Sequence, residues 1–358
     1  MPRSAAQTVA VARHAMATRF EIVLHGRDAV RLRAAAEEAL DEIERLDAQL
    51  SLYRPTSEIA HLNRAAANGP VRVEPGLFRL LQRAKSLSGE TGGAFDITVA
   101  PLMRCWGFMG GTGKLPGKRK LAAARVCVGM HLVELDTENF TVRFVRDGVM
   151  LDLGAIGKGY ALERAAMLLR EAGVKSALLH GGTSTVCAIG APPGQRAWKV
   201  AIQDPEAELN QEGTKGGDVL NQECRKAGKE ILLPSWLPNS PHPRVLVTVE
   251  LKDEALSVSA VWGKAFAAKG KVYGHVLDPR TGAPVEGAVL AAVVLPSATE
   301  TDALSTALLT VGIAGHKQVA ALRQGMRTLV AGRGKKPGEF RLASQGITNA
   351  AGAGSGND

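Results

Sequence analysis

Residues 152–160 (DLGAIGKGY) combine an acidic side chain, three glycines and a lysine where a predicted strand passes into a predicted helix. Glycines allow backbone amides and a helix N-terminus to approach a phosphate closely, and Lys158 would add positive charge. The segment is neither a Walker loop, which requires GKS or GKT, nor a GxGxxG fingerprint. It therefore predicts either a phosphate-binding loop or a tight strand-to-helix turn without a ligand.

A second candidate site lies in residues 299–306 (TETDALST), at the start of another predicted helix. Asp302 and Thr306 are one helical turn apart, so their side chains lie on the same face. Two hard oxygen donors placed in this way suit Mg²⁺, which takes a few protein oxygens together with water and substrate phosphate. The alternative is that a threonine caps the helix and Asp302 interacts with the helix dipole.

Residues 92–98 (GGAFDIT), with Trp106 shortly after them, form a third candidate. Asp96 could bind ribose hydroxyls or the polar edge of a heterocycle, and Trp106 could stack on a ring. The same residue types also occur as a turn-capping aspartate and as aromatic core. Both interpretations stay open on the sequence alone.

Two further segments each carry one side chain of interest. In residues 273–282 (YGHVLDPRTG), DPRTG predicts a turn, and His275 is suited to meet a phosphate or accept a proton. A lone histidine beside a strand is also often structural. In residues 51–63 (SLYRPTSEIAHLN), Tyr53 lies near the end of a predicted helix, where it would cover a ring system or simply pack.

The elements that must position these segments follow from hydrophobic periodicity. Strands are expected where apolar residues alternate or form short buried runs, at 20–24, 140–146, 149–153, 176–179, 198–202, 245–251, 272–277 and 289–295. Asp147 and Gly148 predict a two-residue hairpin between the second and third of these strands. Because strands and helices are mixed rather than alternating as βαβ units, the sequence favours an α+β fold with largely antiparallel sheets and packed helices.

Helices are expected where apolar residues recur at helical spacing: after Asp28, from Pro75, over 158–170 and from about Thr299. The first would bury Leu32, Leu40, Ile43, Leu46 and Leu50, and the second Leu77, Leu80, Leu81, Ala84 and Leu87. We expect a single domain over 1–348. Polar residues 204–244 are expected to form a surface insertion, and 349–358 a flexible tail.

Composition excludes several classes of protein. The chain has 358 residues, a net charge of +9 and 45% apolar residues, but its basic patches at 114–120 and 333–336 lack interleaved aromatics. We therefore expect no nucleic-acid partner. The four cysteines show no metal or disulfide pattern, and there is no apolar run long enough for a membrane span. The numbered chain predicts a cytoplasmic protein, or a periplasmic one whose signal peptide has been removed.

Taken in order, these segments resemble the FAD:protein FMN transferases, the ApbE-like flavin transferase family. The resemblance is carried by Met16-Ala17-Thr18, Tyr53, GGAFDITVAPLMRCWGF, LDLGAIGKGYALERA, HGG at 180–182, HVLDPRTG and TDALSTAL. It implies an α+β, T-fold-like domain that binds FAD in a cleft together with Mg²⁺.

The resemblance also assigns individual positions. The FAD contacts that it implies are Met16, Tyr53, Ala94, Phe95, Asp96, Asp152, Lys158 and Val276. It implies metal ligation by the Ala155 carbonyl and by the side chains of Asp302 and Thr306. His275 would face the diphosphate or the attacking hydroxyl, and His275 and Asp302 are the catalytic candidates for accepting its proton.

The function implied is Mg²⁺-dependent transfer of the FMN moiety of FAD to a Thr or Ser hydroxyl of a target flavoprotein, with release of AMP. Three positions depart from the family pattern: Thr183, the segment 258–260 (VSA) and Ser305, where some members carry a further acidic metal ligand. Two alternatives therefore stay open. One is an Mg²⁺-dependent FAD pyrophosphatase giving FMN and AMP, and the other is a non-catalytic FAD-binding protein.

Overall fold

The computed structural model describes residues 6–204, 231–232, 245–334 and 339–348. We number its elements in chain order. The helices are α1 Ala29–Leu50, α2 Glu58–Ala65, α3 Pro75–Glu90, α4 Ala100–Cys105, α5 Lys118–Arg125, α6 Gly157–Glu171 and α7 Ala298–Ala320, with a 3₁₀ turn at Met130–Leu132.

The strands of the first half are β1 Gln7–Ala15, β2 Thr18–Gly26, β3 Val71–Arg72, β4 Val133–Asp136, β5 Thr141–Phe144, β6 Ala177–Gly181, β7 Thr185–Ile189 and β8 Trp198–Gln203. Those of the second half are β9 Ile231–Leu232, β10 Val245–Leu251, β11 Ala255–Ala260, β12 Ala265–Ala268, β13 Lys271–Gly274, β14 Leu290–Leu295, β15 Arg327–Arg333 and β16 Phe340–Gln345.

An eight-stranded antiparallel sheet forms the centre of the molecule, in the order β1-β2-β6-β7-β11-β14-β15-β16. Successive side chains along a strand point to opposite faces of the sheet. In β2, Phe20, Ile22 and Leu24 therefore face one side, where they join the main hydrophobic core, while Val23 faces the other. Both faces of the sheet must consequently be covered.

Helices α1, α6 and α7 cover one face of this sheet. Each has an apolar stripe, and α7 buries residues around most of its circumference because it lies between α6 and strands β11, β14 and β15. The opposite face is covered by a three-stranded sheet, β10-β8-β9, through a second core that includes Leu178, Val186 and Trp198. The result is three layers: helices, central sheet and small sheet.

Two small antiparallel sheets flank the layers, one with the order β3-β5-β4 and the other a hairpin of β12 and β13. The hairpin closes through Lys269 and Gly270, both with positive φ, as a two-residue turn requires. Its Phe266 and Tyr273 rings stack at 5.4 Å, and Tyr273 lies 5.5 Å from the Trp106 ring after α4. This contact anchors the chain just before His275.

The predicted α+β class with largely antiparallel sheets is confirmed. Asp28 caps α1, Pro75 begins α3, and every side chain that was predicted to be buried in these two helices is buried. Helix α6 ends before Gly173, which has positive φ, as the sequence predicts. The boundaries of most predicted strands shift by one or two residues, and the strand expected at 272–277 ends at Gly274.

The predicted hairpin between 140–146 and 149–153 is wrong. Residues 149–153 form no strand, although Val149, Leu151 and Leu153 are buried as an inward-facing segment would be. Their backbone groups find hydrogen-bond partners outside any strand. The Asn63 side chain accepts from Leu151 N and donates to Leu151 O, and Asp152 N donates to Ile97 O. Strand β5 pairs instead with β3 and β4.

Most of the predicted insertion at 204–244, and all of the predicted tail at 349–358, lie outside the described residues. Within the insertion, Ile231–Leu232 pairs in parallel with β8. The assignment of 1–348 to one domain stays a prediction. None of the helices among the described residues combines the length and the apolar character needed to cross a bilayer.

Candidate functional site

Helices α6 and α7 meet at Gly159 with almost no space between their backbones. A Cβ atom on Gly159 would lie 2.1 Å from the Ala298 carbonyl oxygen and 2.7 Å from Asp302 Cβ. The close approach allows the Gly159 N–H, in the first turn of α6, to donate to Asp302 Oδ2 at 2.9 Å. The glycine-rich segment and the Asp302 segment are therefore one site, joined by this hydrogen bond.

The Asp302 carboxylate is only 4% exposed, and its two oxygens differ in availability. Oδ2 is held by Gly159, whereas Oδ1 has one weak partner, the Thr185 hydroxyl at 3.5 Å. Thr306 lies one turn on, and its hydroxyl is 3.1 Å from that of Ser259 and 3.3 Å from the Asp302 carbonyl. One carboxylate oxygen is thus left with lone pairs to offer a ligand.

A ladder of hydroxyl groups lies between α7 and strands β7 and β11. Ser257 Oγ lies 3.2 Å from Thr185 Oγ1 and 3.1 Å from Thr301 Oγ1, and Ser259 Oγ lies 2.9 Å from Ser305 Oγ. Because buried hydroxyls need hydrogen-bond partners, these contacts fix the rotation of α7 against the sheet. The face that carries Asp302 and Thr306 is oriented by them.

The chemistry of the predicted ligands, a carboxylate, a hydroxyl and a backbone carbonyl, fits Mg²⁺ rather than a softer metal, because all three are hard oxygen donors. The described residues contain no cluster of three or more Asp, Glu, His or Cys side chains suited to a metal. Among the three predicted ligands, Ala155, Asp302 and Thr306, only Asp302 carries charge. A metal held by them would need additional oxygens from substrate or water.

Asp152 begins the glycine-rich segment and is held on both sides. Its N–H donates to the Ile97 carbonyl at 2.7 Å, and its Oδ1 accepts from Gly154 N at 2.8 Å. Burial raises the pKa of the Asp152 carboxyl, while the Gly154 hydrogen bond and the charges of Lys158 and Lys264 act in the opposite direction. The charges of these two lysines therefore favour the ionised form of this carboxyl.

His275 bonds to the backbone of one of these lysines, Lys264. Its N–H and its Nδ1 both bond to the Lys264 carbonyl, at 3.0 and 3.1 Å. Burial lowers the pKa of His275, and the charges of Lys264 and Lys158 lower it further, against the effect of the backbone hydrogen bond. These bonds form because the hairpin of β12 and β13 brings Lys264 opposite His275, one residue beyond the pair Ala265 and Gly274.

Tyr53 and Met16 occupy more open positions. The Tyr53 side chain is 64% exposed. Partial burial of its hydroxyl, and then the charge of Asp152, raise its pKa. Met16 and Ala17 form the two-residue turn between β1 and β2, with φ of 48° and 57°. Side chains other than glycine rarely adopt such angles, and strain of this kind is concentrated at functional sites.

Asp96 is buried and fully engaged within the protein. Its Oδ1 accepts from Thr98 N at 2.8 Å and Thr98 Oγ1 at 2.5 Å, and its Oδ2 accepts from Ser88 Oγ and Met130 N, both at 3.0 Å. Four donors use the capacity of a carboxylate. This favours the turn-capping interpretation of Asp96, and its contact with FAD stays a prediction.

The remaining predicted FAD positions line the neighbouring core. Ala94 and Phe95 are buried, and Val276 is half-buried against the same hydrophobic cluster. Trp106 is 5% exposed and donates from Nε1 to the Gly282 carbonyl at 2.8 Å, which supports the core interpretation of this residue. These are contacts within the protein, so the contact of Ala94, Phe95 and Val276 with FAD stays a prediction.

Several residues that shape the site were not anticipated. Lys264 stands in a short run (GKAFAA) too brief to suggest a strand, although Lys269-Gly270 is a turn signal that could have revealed the hairpin. Asn63 holds the loop before Asp152 through a contact 88 residues away in sequence. The alternation of Ser257 and Ser259 along β11 is the signal for the hydroxyl ladder.

Residues 16–330 match the sequence model of the ApbE family. A FAD:protein FMN transferase of Rhodobacter capsulatus is 29% identical over 315 residues, which are 87% of this chain but only 53% of the relative. The chain thus spans about half the length of that relative. The FAD:protein FMN transferase of Escherichia coli (strain K12) is 25% identical over 87% of this chain and 80% of its own.

Two solved structures of ApbE proteins have a similar fold. The crystal structure of the ApbE protein of Thermotoga maritima has a TM-score of 0.74 and 26% identity, covering 90% of this chain and 94% of that one. The apo form of the Pseudomonas stutzeri flavinyl transferase ApbE has a TM-score of 0.75 over 97% of both chains; at 24% identity it supports the fold alone.

Proposed function

This chain belongs to the ApbE family, and from that premise we propose that it is an FAD:protein FMN transferase. The proposed reaction transfers the FMN moiety of FAD to a Thr or Ser hydroxyl of an acceptor flavoprotein, with Mg²⁺, and releases AMP. The observation that carries this proposal is the Gly159–Asp302 hydrogen bond, because it joins the glycine-rich segment to the face of α7 that bears Thr306.

The proposed role of the Ala155 carbonyl, Asp302 and Thr306 is to hold Mg²⁺. When bound there, Mg²⁺ would neutralise charge on the diphosphate of FAD, as metal ions do in phosphoryl transfer. The Asp302 oxygen Oδ1 is the one available for this, since Oδ2 accepts from Gly159. The predicted FAD positions are proposed to enclose the flavin and its phosphate-bearing side chain. They are Met16, Tyr53, Ala94, Phe95, Asp96, Asp152, Lys158 and Val276.

Lys158 and Lys264 are proposed to hold the phosphate charge. Lys158 Nζ lies 3.4 Å from the Gly154 carbonyl, so the ammonium group extends along the glycine-rich loop. Both lysines act electrostatically on Asp152 and on His275. Two cations that both act on the same partly buried groups would favour an anion there, and phosphoryl transfer depends chiefly on such positioning.

In the transfer step, the acceptor oxygen forms a bond to the phosphorus of the FMN half and the bond from that phosphorus to the bridging oxygen breaks. AMP leaves with the bridging oxygen, and the hydroxyl proton passes to a base. We assign this base to His275 rather than to Asp302. A carbonyl can only accept, so the bond to Lys264 O fixes the proton of the neutral ring on Nδ1 and leaves Nε2 to take the proton.

The experiment that tests the proposal is a mass measurement of AMP and of flavinylated acceptor after incubation with FAD and Mg²⁺. For Asp302→Asn we expect a loss of roughly 100-fold or more in both products, because the metal loses its charged ligand while the amide oxygen still accepts from Gly159. Asp147→Asn removes an exposed carboxylate at a turn and serves as the control. Wild-type turnover by Asp302→Asn would refute the metal assignment.

The same measurement separates the alternatives. Release of AMP and FMN by the wild type when no acceptor is present, at the rate seen with acceptor, would assign the protein as a pyrophosphatase. Tight FAD binding without AMP at any Mg²⁺ concentration would assign it as a flavin-binding protein. The proposal requires AMP and flavinylated acceptor in equal amounts.

A further inference from the structure

Glu163 makes a contact that the proposed reaction does not use. It lies on α6, one turn after Gly159, and its Oε2 accepts from the Thr299 N–H at 2.9 Å and from the Ser297 hydroxyl at 2.6 Å. Both donors belong to the beginning of α7, where Ser297 is also the N-cap. A side chain of one helix therefore caps the first turn of the other.

This contact is the counterpart of the Gly159–Asp302 hydrogen bond. Asp302 of α7 accepts from a first-turn N–H of α6, and Glu163 of α6 accepts from a first-turn N–H of α7. We call these two contacts the crossed caps. The first-turn amides of a helix lack partners within it, and an anionic acceptor there is also favoured by the helix dipole.

The crossed caps fix the distance between two parts of the site. The Ala155 carbonyl precedes α6 by two residues, whereas Asp302 and Thr306 belong to α7. The predicted metal ligands are thus divided between the two helices that the crossed caps hold together. The carboxylate in the first turn of α7, Glu300, has arginine partners outside α6. It accepts from Arg323 Nε at 2.7 Å and also from Arg83.

We propose that Glu163 is a positioning residue of the metal site. Without touching the metal, it holds the loop before α6 in register with Asp302, so that the carbonyl and the carboxylate converge on one ion. This inference rests on the proposed function for the identity of the site. Loss of a partner that bonds to a metal ligand directly commonly weakens metal binding 10- to 100-fold, whereas Glu163 acts one step further away, through the Thr299 N–H and the Ser297 hydroxyl.

The test uses the full chain with Mn²⁺ as the probe, titrated in the presence of saturating FAD and followed by the electron paramagnetic resonance signal of free Mn²⁺. For Glu163→Ala we expect Mn²⁺ affinity to fall about 10-fold, the lower end of that range, because its action is indirect. Glu163→Gln retains an acceptor oxygen and should recover part of this loss. Glu171→Ala removes an exposed carboxylate from the same helix and should change nothing.

A loss of stability alone must be distinguished from loss of position. Asp28→Ala removes the exposed N-cap of α1, whose carboxylate accepts from Arg31 N at 3.0 Å, and is expected to lower the melting temperature without changing Mn²⁺ affinity. Unchanged Mn²⁺ affinity in Glu163→Ala, together with a lower melting temperature as in Asp28→Ala, would overturn the positioning role.

Amide hydrogen exchange provides a measurement that does not depend on the metal. In Glu163→Ala, the peptide covering 152–160 should exchange faster than in the wild type, because Gly159 loses the alignment that lets it bond to Asp302. Unchanged exchange there would also overturn the inference. Failure of the wild type to bind Mn²⁺ would instead refute the proposed metal site, while the exchange result would still decide whether Glu163 orders the loop.

Discussion

The two ring nitrogens of His275 have different surroundings, and this difference determines what the residue can do. Nδ1 is engaged with the Lys264 carbonyl, so Nε2 carries the lone pair of the neutral ring. Burial and the charges of Lys264 and Lys158 lower the pKa of His275. The ring therefore stays neutral to a lower pH than an exposed histidine, whose pKa is about 6.5, and it can act as a base throughout the neutral range.

The first prediction concerns the acid limb of the pH–rate profile. On the proposal that His275 is the base, its protonation stops the reaction, so activity should fall only below the ordinary histidine range. In Lys264→Gln this limb should move to higher pH, because the charge of Lys264 lowers the pKa of both His275 and Asp152. The measurement is kcat against pH for FMN transfer in both proteins.

The control for this prediction is Lys269→Asn. Lys269 lies at the tip of the same hairpin with φ of 51°, where asparagine is well tolerated, so the variant removes an equal charge farther from the histidine. Its acid limb should coincide with that of the wild type. A Lys264→Gln profile that stays in place or moves to lower pH would show that His275 and Asp152 are not the titrating groups.

At the scale of elements, the contact of α6 with α7 depends on the absence of a side chain at position 159. In Gly159→Ala the added methyl group would overlap the Ala298 carbonyl, and the helices would have to separate. We expect a loss of about 1–3 kcal/mol in the free energy of unfolding, since overpacking usually costs this much, and a lower rate of FMN transfer. Urea denaturation and the AMP assay measure the two effects.

Gly89→Ala is the matched control for this substitution. Gly89 lies in α3 with nothing within 4 Å of its added Cβ, so alanine should stabilise the protein by up to about 1 kcal/mol through its higher helix propensity. Its activity should be unchanged. If both variants were stabilised alike, the close approach of α6 and α7 would not be a feature of the protein in solution.

The elements that the sequence predicts well are those whose periodicity is long. The stripe of α1 and the cap at Asp28 are local patterns, and the same is true of the spacing that places Asp302 and Thr306 on one face. Residues 149–153 were predicted incorrectly because alternation shows burial but not the identity of the partner. That partner is the Asn63 side chain, and only the tertiary fold brings it to Leu151.

The same limit applies to the candidate site. Residue types indicate that Asp302 can bind a metal, but not that its Oδ2 is taken by Gly159. Likewise, Asp96 has the chemistry of a ligand-binding residue, and only its four hydrogen bonds show that the carboxylate is engaged within the protein. Such facts depend on contacts between distant segments, which no local pattern encodes.

At the scale of the whole molecule, binding of FAD and of Mg²⁺ should be coupled. The predicted metal ligands include a single carboxylate, so the metal needs the oxygens of the diphosphate, and the diphosphate needs the charge of the metal. We expect Mg²⁺ alone to change the melting temperature little. FAD and Mg²⁺ together should raise it more than the sum of their separate effects, as positive coupling requires.

Thermal melts with each ligand alone and with both measure this coupling. A ligand at 100 times its Kd adds about 2.7 kcal/mol of stability, so the difference is well within reach of the method. Asp302→Asn should abolish the additional shift while retaining much of that produced by FAD. A full shift with Mg²⁺ alone would mean that the metal is bound without the help of FAD.

The turn formed by Met16 and Ala17 limits the stability of the hairpin of β1 and β2, and substitutions there could raise it. Asparagine and glycine would occupy its left-handed conformations at lower cost, so the hairpin is less stable than its geometry allows. A protein improved for thermostability alone would lose Met16 early. On the proposal that Met16 contacts FAD, keeping this residue would exchange some resistance to heat for ligand binding.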